Sequence, residues 1–177
     1  MTDAGPDQSF FAHDSLEIER KYLLSGRPAI PEGAEIWRIE QGYLSGPGPT
    51  AVAGGRIRRV LMSDGTIVCT HTIKQGLGVV RSEQERAISN QQFESQWPAT
   101  AGKRLRKTRY RVREKDRVWE IDVFDRMDLV LAEVELPAAD AAVVFPQWLE
   151  PHVVCEVTDD PKYTNAGIAS RAPGSAI

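Results

Sequence analysis

Residues 16–24 read Leu-Glu-Ile-Glu-Arg-Lys-Tyr-Leu-Leu. Drawn as an extended strand, this stretch puts Leu16, Ile18, Arg20 and Tyr22 on one face and Glu17, Glu19 and Lys21 on the other. The first face can bury itself against a core. The second carries acids and a base side by side, and much of the chain repeats this plan.

Working outward, residues 36–44 read as a strand after a connection at 26–33 that contains Gly and Pro. Residues 56–62 and 66–74 form a hairpin across Ser63-Asp64-Gly65, and 79–88 is a further strand. Strands at 104–113 and 118–124 turn near Lys115-Asp116, and 129–136 is the last clear one. Residues 89–97 read as a short helix with Ser89 as N-cap and Pro98 stopping it. Residues 138–145 also look helical, and 165–170 add a final turn. No helix alternates with the strands as a crossover, so about eight strands build a mostly antiparallel sheet in a mainly β (α+β) fold. Residues 1–14 read as a loose leader, 15–170 as one domain and 171–177 as a tail.

Charge follows the same period of two. Arg56 and Arg58 share a face, as do Glu83 and Glu85, Glu120 and Asp122, and Glu133 and Glu135. Lys107, Arg109, Arg111 and Arg113 form a basic row, and Lys74 ends a strand rich in Thr and Val. Any one pair is explained by a half-buried strand with a solvated face. Taken together, acids recur in i, i+2 pairs on some strands and bases on others. If eight such strands close into a barrel, the charges line its lumen, which must be wet or hold a ligand that pairs with both signs. A polyphosphate takes Arg and Lys along its length. A hard divalent cation takes carboxylates on one side and phosphate oxygens on the other.

Whole-chain arithmetic sets the bounds. The 177 residues hold 22 Lys plus Arg against 25 Asp plus Glu, a formal charge of −3, which argues against a surface built to coat nucleic acid. No apolar run approaches the roughly 18 residues needed to cross a bilayer. The opening MTDAGPDQSFFAHDS has no basic segment followed by an apolar one, so a cytoplasmic protein is expected. Cys69 and Cys155 are too few for a disulfide framework. His13, His71 and His152 show no metal-ligand spacing. Trp37, Trp97, Trp119 and Trp148 read as packing residues. The Gly-rich stretch 45–55 lacks a GK[ST] ending and reads as a connection or lid.

Glu17-Ile-Glu19-Arg-Lys21 resembles the ExExK signature of the CYTH superfamily, or triphosphate tunnel metalloenzymes. The resemblance continues in the family's order through Gln41-Gly-Tyr43-Leu, Arg56-Ile-Arg58, Thr72-Ile-Lys74 and Glu83-Gln-Glu85. Beyond these come Trp97-Pro-Ala-Thr-Ala-Gly, Lys107-Thr-Arg109-Tyr110, Glu120-Ile-Asp122-Val-Phe124, Glu133-Val-Glu135 and Asp160-Pro-Lys162-Tyr163-Thr-Asn165. It looks most like the compact single-domain bacterial members.

That resemblance implies a closed eight-stranded antiparallel barrel forming a charged tunnel, with a few short helices outside. It implies Mg²⁺ or Mn²⁺ as cofactor, held by Glu17, Glu19, Asp122, Glu133 and Glu135. It assigns phosphate binding to Arg56, Arg58, Lys74, Lys107 and Arg109, with Lys162 near the tunnel end, and a catalytic dyad to Lys21 and Tyr43. Glu83 and Glu85 either bind metal or orient neighbouring bases. A depressed pKa on Lys21, from Tyr and nearby cations, would let it take a proton from water. The implied reaction is hydrolysis of a linear triphosphate, with inorganic tripolyphosphate giving pyrophosphate and phosphate. Alternatives on the same fold are a class IV-type adenylate cyclase and a thiamine or nucleoside triphosphatase. A non-catalytic polyphosphate-binding module is the rival from another class. The partner is then a small-molecule polyphosphate or nucleoside triphosphate, with no nucleic acid and no membrane, and with a homodimer left open.

Overall fold

A computed structural model describes residues 18–44, 54–75, 82–138 and 140–171. The leader, Glu17, most of the 45–55 loop and the tail beyond Arg171 lie outside the described residues. The strands are β1 (Ile18–Leu24), β2 (Glu35–Leu44), β3 (Gly55–Met62), β4 (Ile67–Gln75) and β5 (Ser82–Ile88), then β6 (Arg104–Glu114), β7 (Arg117–Phe124), β8 (Val130–Leu136) and β9 (Val153–Glu156). Two short helices, α1 (Asn90–Gln96) and α2 (Asn165–Ala169), and 3₁₀ turns at Trp97–Thr100, Glu150–His152 and Pro161–Tyr163 complete the elements. No helix among the described residues is long and apolar enough to cross a membrane.

All the strands join one antiparallel sheet in the order β5-β4-β3-β2-β6-β7-β8-β1-β9. The mainly β, antiparallel architecture is the one expected, with two differences in detail. The ladder has nine strands rather than eight, and it runs open from β5 to β9 among the described residues. Closure requires the two edge strands to complete each other's hydrogen bonds. Here the free edge of β1 is taken by the four-residue β9, with a register shift at Leu23/Leu24.

Alternation along each strand separates the cores. Tyr22, Leu24, Trp119, Ile121, Val130, Ala132, Val134, Leu136 and Leu149 form a buried cluster on the outer face. Residues 138–145, expected as a helix, are not helical where described. Ala141, Val143 and Phe145 instead lean on the outer cluster while Ala142 and Val144 are exposed. Burial at every second residue is satisfied by an extended segment, and this packing overrides the helical preference of alanine. Tyr22 meets Phe145 edge to face, with ring centroids 4.9 Å apart.

Helix α1 begins in a capping box between Ser89 and Gln92, and its Phe93 packs with Leu44, Ile57 and Cys69 on the outer side of the sheet. His71 is buried beside this cluster, where its Nδ1 accepts Arg86 Nη2 at 3.1 Å. Cys155 is exposed on β9. The 3₁₀ turn at Trp97–Thr100 rests on β2 at Gly42, where a Cβ would lie 2.5 Å from Thr100 Oγ1. That contact admits only glycine, which ties the Gln41-Gly-Tyr43 stretch to the Trp97-Pro-Ala-Thr stretch.

Helix α2 departs from the expectation that helices stay outside. Its Ile168 and Ala169 pack with Tyr163 on Leu105, Phe124 and Leu131, next to Leu23 and Tyr43. These strand residues share the face that carries the charges, so α2 covers the apolar end of that face.

Candidate active site

Strand register alone assembles the charged face. Lys21 is opposite Glu133 and Glu19 is opposite Glu135 across β1 and β8. Glu133 is opposite Glu120 across β8 and β7. Asp122 and Glu120 face Arg109 and Arg111 across β7 and β6. Gln41 and Tyr43 face Arg58 and Arg56 across β2 and β3, and Thr72 faces Glu85 across β4 and β5. Directly opposed residues project to the same side of a sheet, so acids and bases from six strands, with Gln41 and Tyr43 of β2 and Thr72 of β4, meet on one concave surface.

At its centre Arg109 donates from Nε to Asp122 Oδ1 and from Nη2 to Asp122 Oδ2, both at 2.7 Å. Nη2 also reaches Glu133 Oε2 at 2.7 Å, and Nη1 binds Glu120. Lys107 donates to Asp122 Oδ2 at 2.5 Å and to Asn165 Oδ1 of α2 at 3.1 Å. Asp122 is fully buried. Burial pushes its carboxyl up, but Arg109 and Lys107 outweigh that and hold its pKa at about 2. Burial, and then the adjacent Arg109, push the Lys107 ammonium below its ordinary value.

On the acidic side Lys21 Nζ lies 2.9 Å from Glu133 Oε1 and 3.8 Å from Glu19 Oε1. Burial opposes its charge, yet Glu133 and Glu19 raise its pKa above the usual lysine value. The expected depression of Lys21 is therefore corrected: its nearest charged partners are carboxylates, and it is held as a cation. The Glu19 side chain is exposed, and desolvation, then Glu133, raise its carboxyl. The Tyr43 hydroxyl accepts Gln41 Nε2 at 2.6 Å. Strands β1 and β2 are separated by β8, β7 and β6, so Lys21 and Tyr43 can approach only across the concavity.

On the basic side Arg56 donates to Thr72 Oγ1 at 3.0 Å and to Glu85 Oε2 at 3.2 Å, and Arg58 lies 3.6 Å from Glu85 Oε1. Thr72 Oγ1 in turn donates to Glu85 at 2.7 Å. Glu85 thus orients both arginines. Arg56 Nε and Arg58 Nε are buried without a hydrogen-bond partner among the described residues. Burial, then the nearby Arg56 guanidinium, lower the pKa of Arg58.

The remaining sequence candidates take varied positions. Lys162 is exposed in its own turn, 3.2 Å from Asp160. Glu135 is exposed on β8. Lys74 and Glu83 are opposed in register across β4 and β5, but their side chains lie outside the described residues, as does all of Glu17. Arg113 is exposed, while Arg111 turns to the concave face and binds Glu120 Oε1 at 2.9 Å. Sequence reading passed over Glu120, Gln41 and Asn165 as site residues. For Glu120 the signal was present, in its two-residue spacing from Asp122.

Oxygen donors suit a hard divalent cation. Glu19 and Glu135 are opposed and exposed next to Glu133, which puts three carboxylates side by side on the charged face. Among the described residues no three His, Cys, Asp or Glu side chains already converge as a cage.

No family model matches the chain. It is 37% identical over 163 residues to the inorganic triphosphatase of Nitrosomonas europaea, covering 89% of this chain and 99% of that protein. It is 30% identical over 158 residues to the inorganic triphosphatase of Acetivibrio thermocellus, covering 86% and 92%. A crystal structure of an inorganic triphosphatase aligns with TM-score 0.62 at 36% identity over 92% of this chain and 99% of that one. With ordered charged strands, a shared fold and near-complete coverage in agreement, the chain belongs to the CYTH superfamily of triphosphate tunnel enzymes, in the inorganic triphosphatase family.

Proposed function

We propose that this protein hydrolyses a phosphoanhydride bond of a linear triphosphate, and that inorganic tripolyphosphate, cleaved to pyrophosphate and phosphate, is its preferred substrate. The observation that carries the reading is the pair of buried Nε–H groups on Arg56 and Arg58 that have no partner among the described residues. Buried donors without partners are costly, and phosphate oxygens are the acceptors that best satisfy guanidinium groups. Arg56, Arg58 and Lys74 bind phosphates from one wall and Lys107 from the other, with Glu85 keeping the arginines aimed. Arg109, held by three carboxylates, fixes the acidic wall and adds positive charge beside the substrate.

Glu19, Glu133 and Glu135 would hold Mg²⁺ or Mn²⁺, with Glu17 added by the sequence pattern. Asp122, with both oxygens engaged, keeps Lys107 and Arg109 in place. A divalent ion held there would supply Lewis-acid polarisation of the transferring phosphoryl group. Lys21, held as a cation by Glu133 and Glu19, would act with Tyr43 to position the attacking water.

Phosphate release from tripolyphosphate, ATP and thiamine triphosphate, with Mg²⁺ or Mn²⁺ and a parallel cyclic AMP assay, tests this. Tripolyphosphate should give the highest kcat/KM. Cyclic AMP formation, or preferential turnover of an organic triphosphate, would replace the reading with its same-fold alternatives. Tight tripolyphosphate binding with no turnover would leave a binding module.

A further inference from the structure

Three of the four tryptophans serve packing. Trp119 lies in the outer core, Trp97 stacks on Phe93 with centroids 5.0 Å apart, and Trp148 leans on the outer cluster. Trp37 differs. It is opposite Arg109 in the β2–β6 register, on the charged face, and the Arg111 guanidinium lies over its ring at 4.3 Å from the centroid. Arg111 is fixed there by Glu120 Oε1 at 2.9 Å from Nε and by Glu35 Oε2 at 3.0 Å from Nη1. Glu120 also binds Arg109, so the stack is coupled to the centre of the site.

We infer that the Trp37–Arg111 stack is the specificity element of the site, admitting a chain of bare phosphates and disfavouring triphosphates that carry an organic group. The inference rests on the triphosphatase reading and goes one step further, to the residues that set substrate class. The basic wall of Lys107 and Arg109 is bounded at both ends. Asn165 of α2 closes it beside Lys107, 3.1 Å away, and the stack closes it beyond Arg109. A base or thiazolium ring could lie on an aromatic face only if that face were open. Arg111 covers the Trp37 face, and two carboxylates stop it from swinging aside. Glu120 and Glu35 also occupy Nε and Nη1 of the guanidinium, two of the donors that would otherwise greet a ribose or ring nitrogen.

The test compares kcat/KM for tripolyphosphate, ATP and thiamine triphosphate in the wild type, Arg111→Ala, Trp37→Leu and the double variant. Removing the stack should raise the ratio of organic to inorganic turnover by about tenfold or more, the range over which pocket shape discriminates substrates. The ratio is internal to each variant, so partial loss of folded protein cancels, and Arg111→Ala serves if Trp37→Leu does not fold. An unchanged ratio overturns the inference. A ratio that falls also overturns it, since the stack would then be holding the organic group. Absence of tripolyphosphate turnover in the wild type would instead defeat the triphosphatase reading, so the two failures are distinct.

Discussion

Arg109 and Asp122 face each other across adjacent strands in a two-bond fork, Nε to Oδ1 and Nη2 to Oδ2, both at 2.7 Å, with Asp122 sealed from solvent. Removing one partner of a buried pair leaves an uncompensated charge. Asp122→Ala should therefore lower stability by roughly 3–5 kcal/mol, read from the urea midpoint. An unchanged midpoint would mean that water or Glu133 replaces Asp122 at no cost.

The same carboxylate predicts acid sensitivity. Its folded pKa of about 2 lies below the ordinary Asp value of roughly 3.9. The unfolded chain thus takes up the proton first. Stability from this group is complete above about pH 4 and is lost as pH falls toward about 2, amounting to roughly 2 kcal/mol. Unfolding free energy measured from pH 5 to pH 2 should drop less steeply in Asp122→Asn than in the wild type.

Glu85 touches Arg56, Arg58 and Thr72 on the charged face. Glu85→Gln should raise KM for tripolyphosphate by about tenfold, one good charged contact, with a smaller change in kcat. Loss confined to kcat would instead place Glu85 at the metal.

Glu135 is exposed and Lys21 is buried, so their variants separate function from folding. Glu135→Ala should keep the wild-type melting temperature yet lose hydrolysis, and Lys21→Ala should lose hydrolysis with a modest fall in melting temperature. Full activity in either would sink the assigned roles. Chelation with EDTA should abolish turnover, and added Mg²⁺ or Mn²⁺ should restore it.

Phe93 provides the contrast. It is fully buried between α1 and the outer face of the sheet, remote from the charged side. Phe93→Ala should cost about 3–5 kcal/mol of stability while KM at a temperature where the protein is folded stays unchanged.

Much of this was legible from residue spacing. A period of two put Glu19 with Lys21, Arg56 with Arg58 and Glu133 with Glu135 on common faces, and the register brings those faces together. What escaped was set by tertiary packing. Residues 138–145 read as helical, but the outer core takes alternate residues there. β9 spans four residues, too few for a pattern, and is a strand because β1 has an edge to offer. The charge state of Lys21 depends on Glu133, which lies far away in sequence and directly opposite in space. Arg111 and Trp37 are unremarkable until β2 and β6 are laid side by side.

Most cations on the concave face already have an internal counter-ion: Lys107 and Arg109 have Asp122, Lys21 has Glu133, and Arg56 and Arg58 share Glu85. An incoming polyanion therefore enters a set of bonds already made, and its capture is a partner exchange rather than a neutralisation. Affinity then depends on the difference between two sets of ion pairs, so its dependence on ionic strength should be shallower than a count of arginines and lysines suggests.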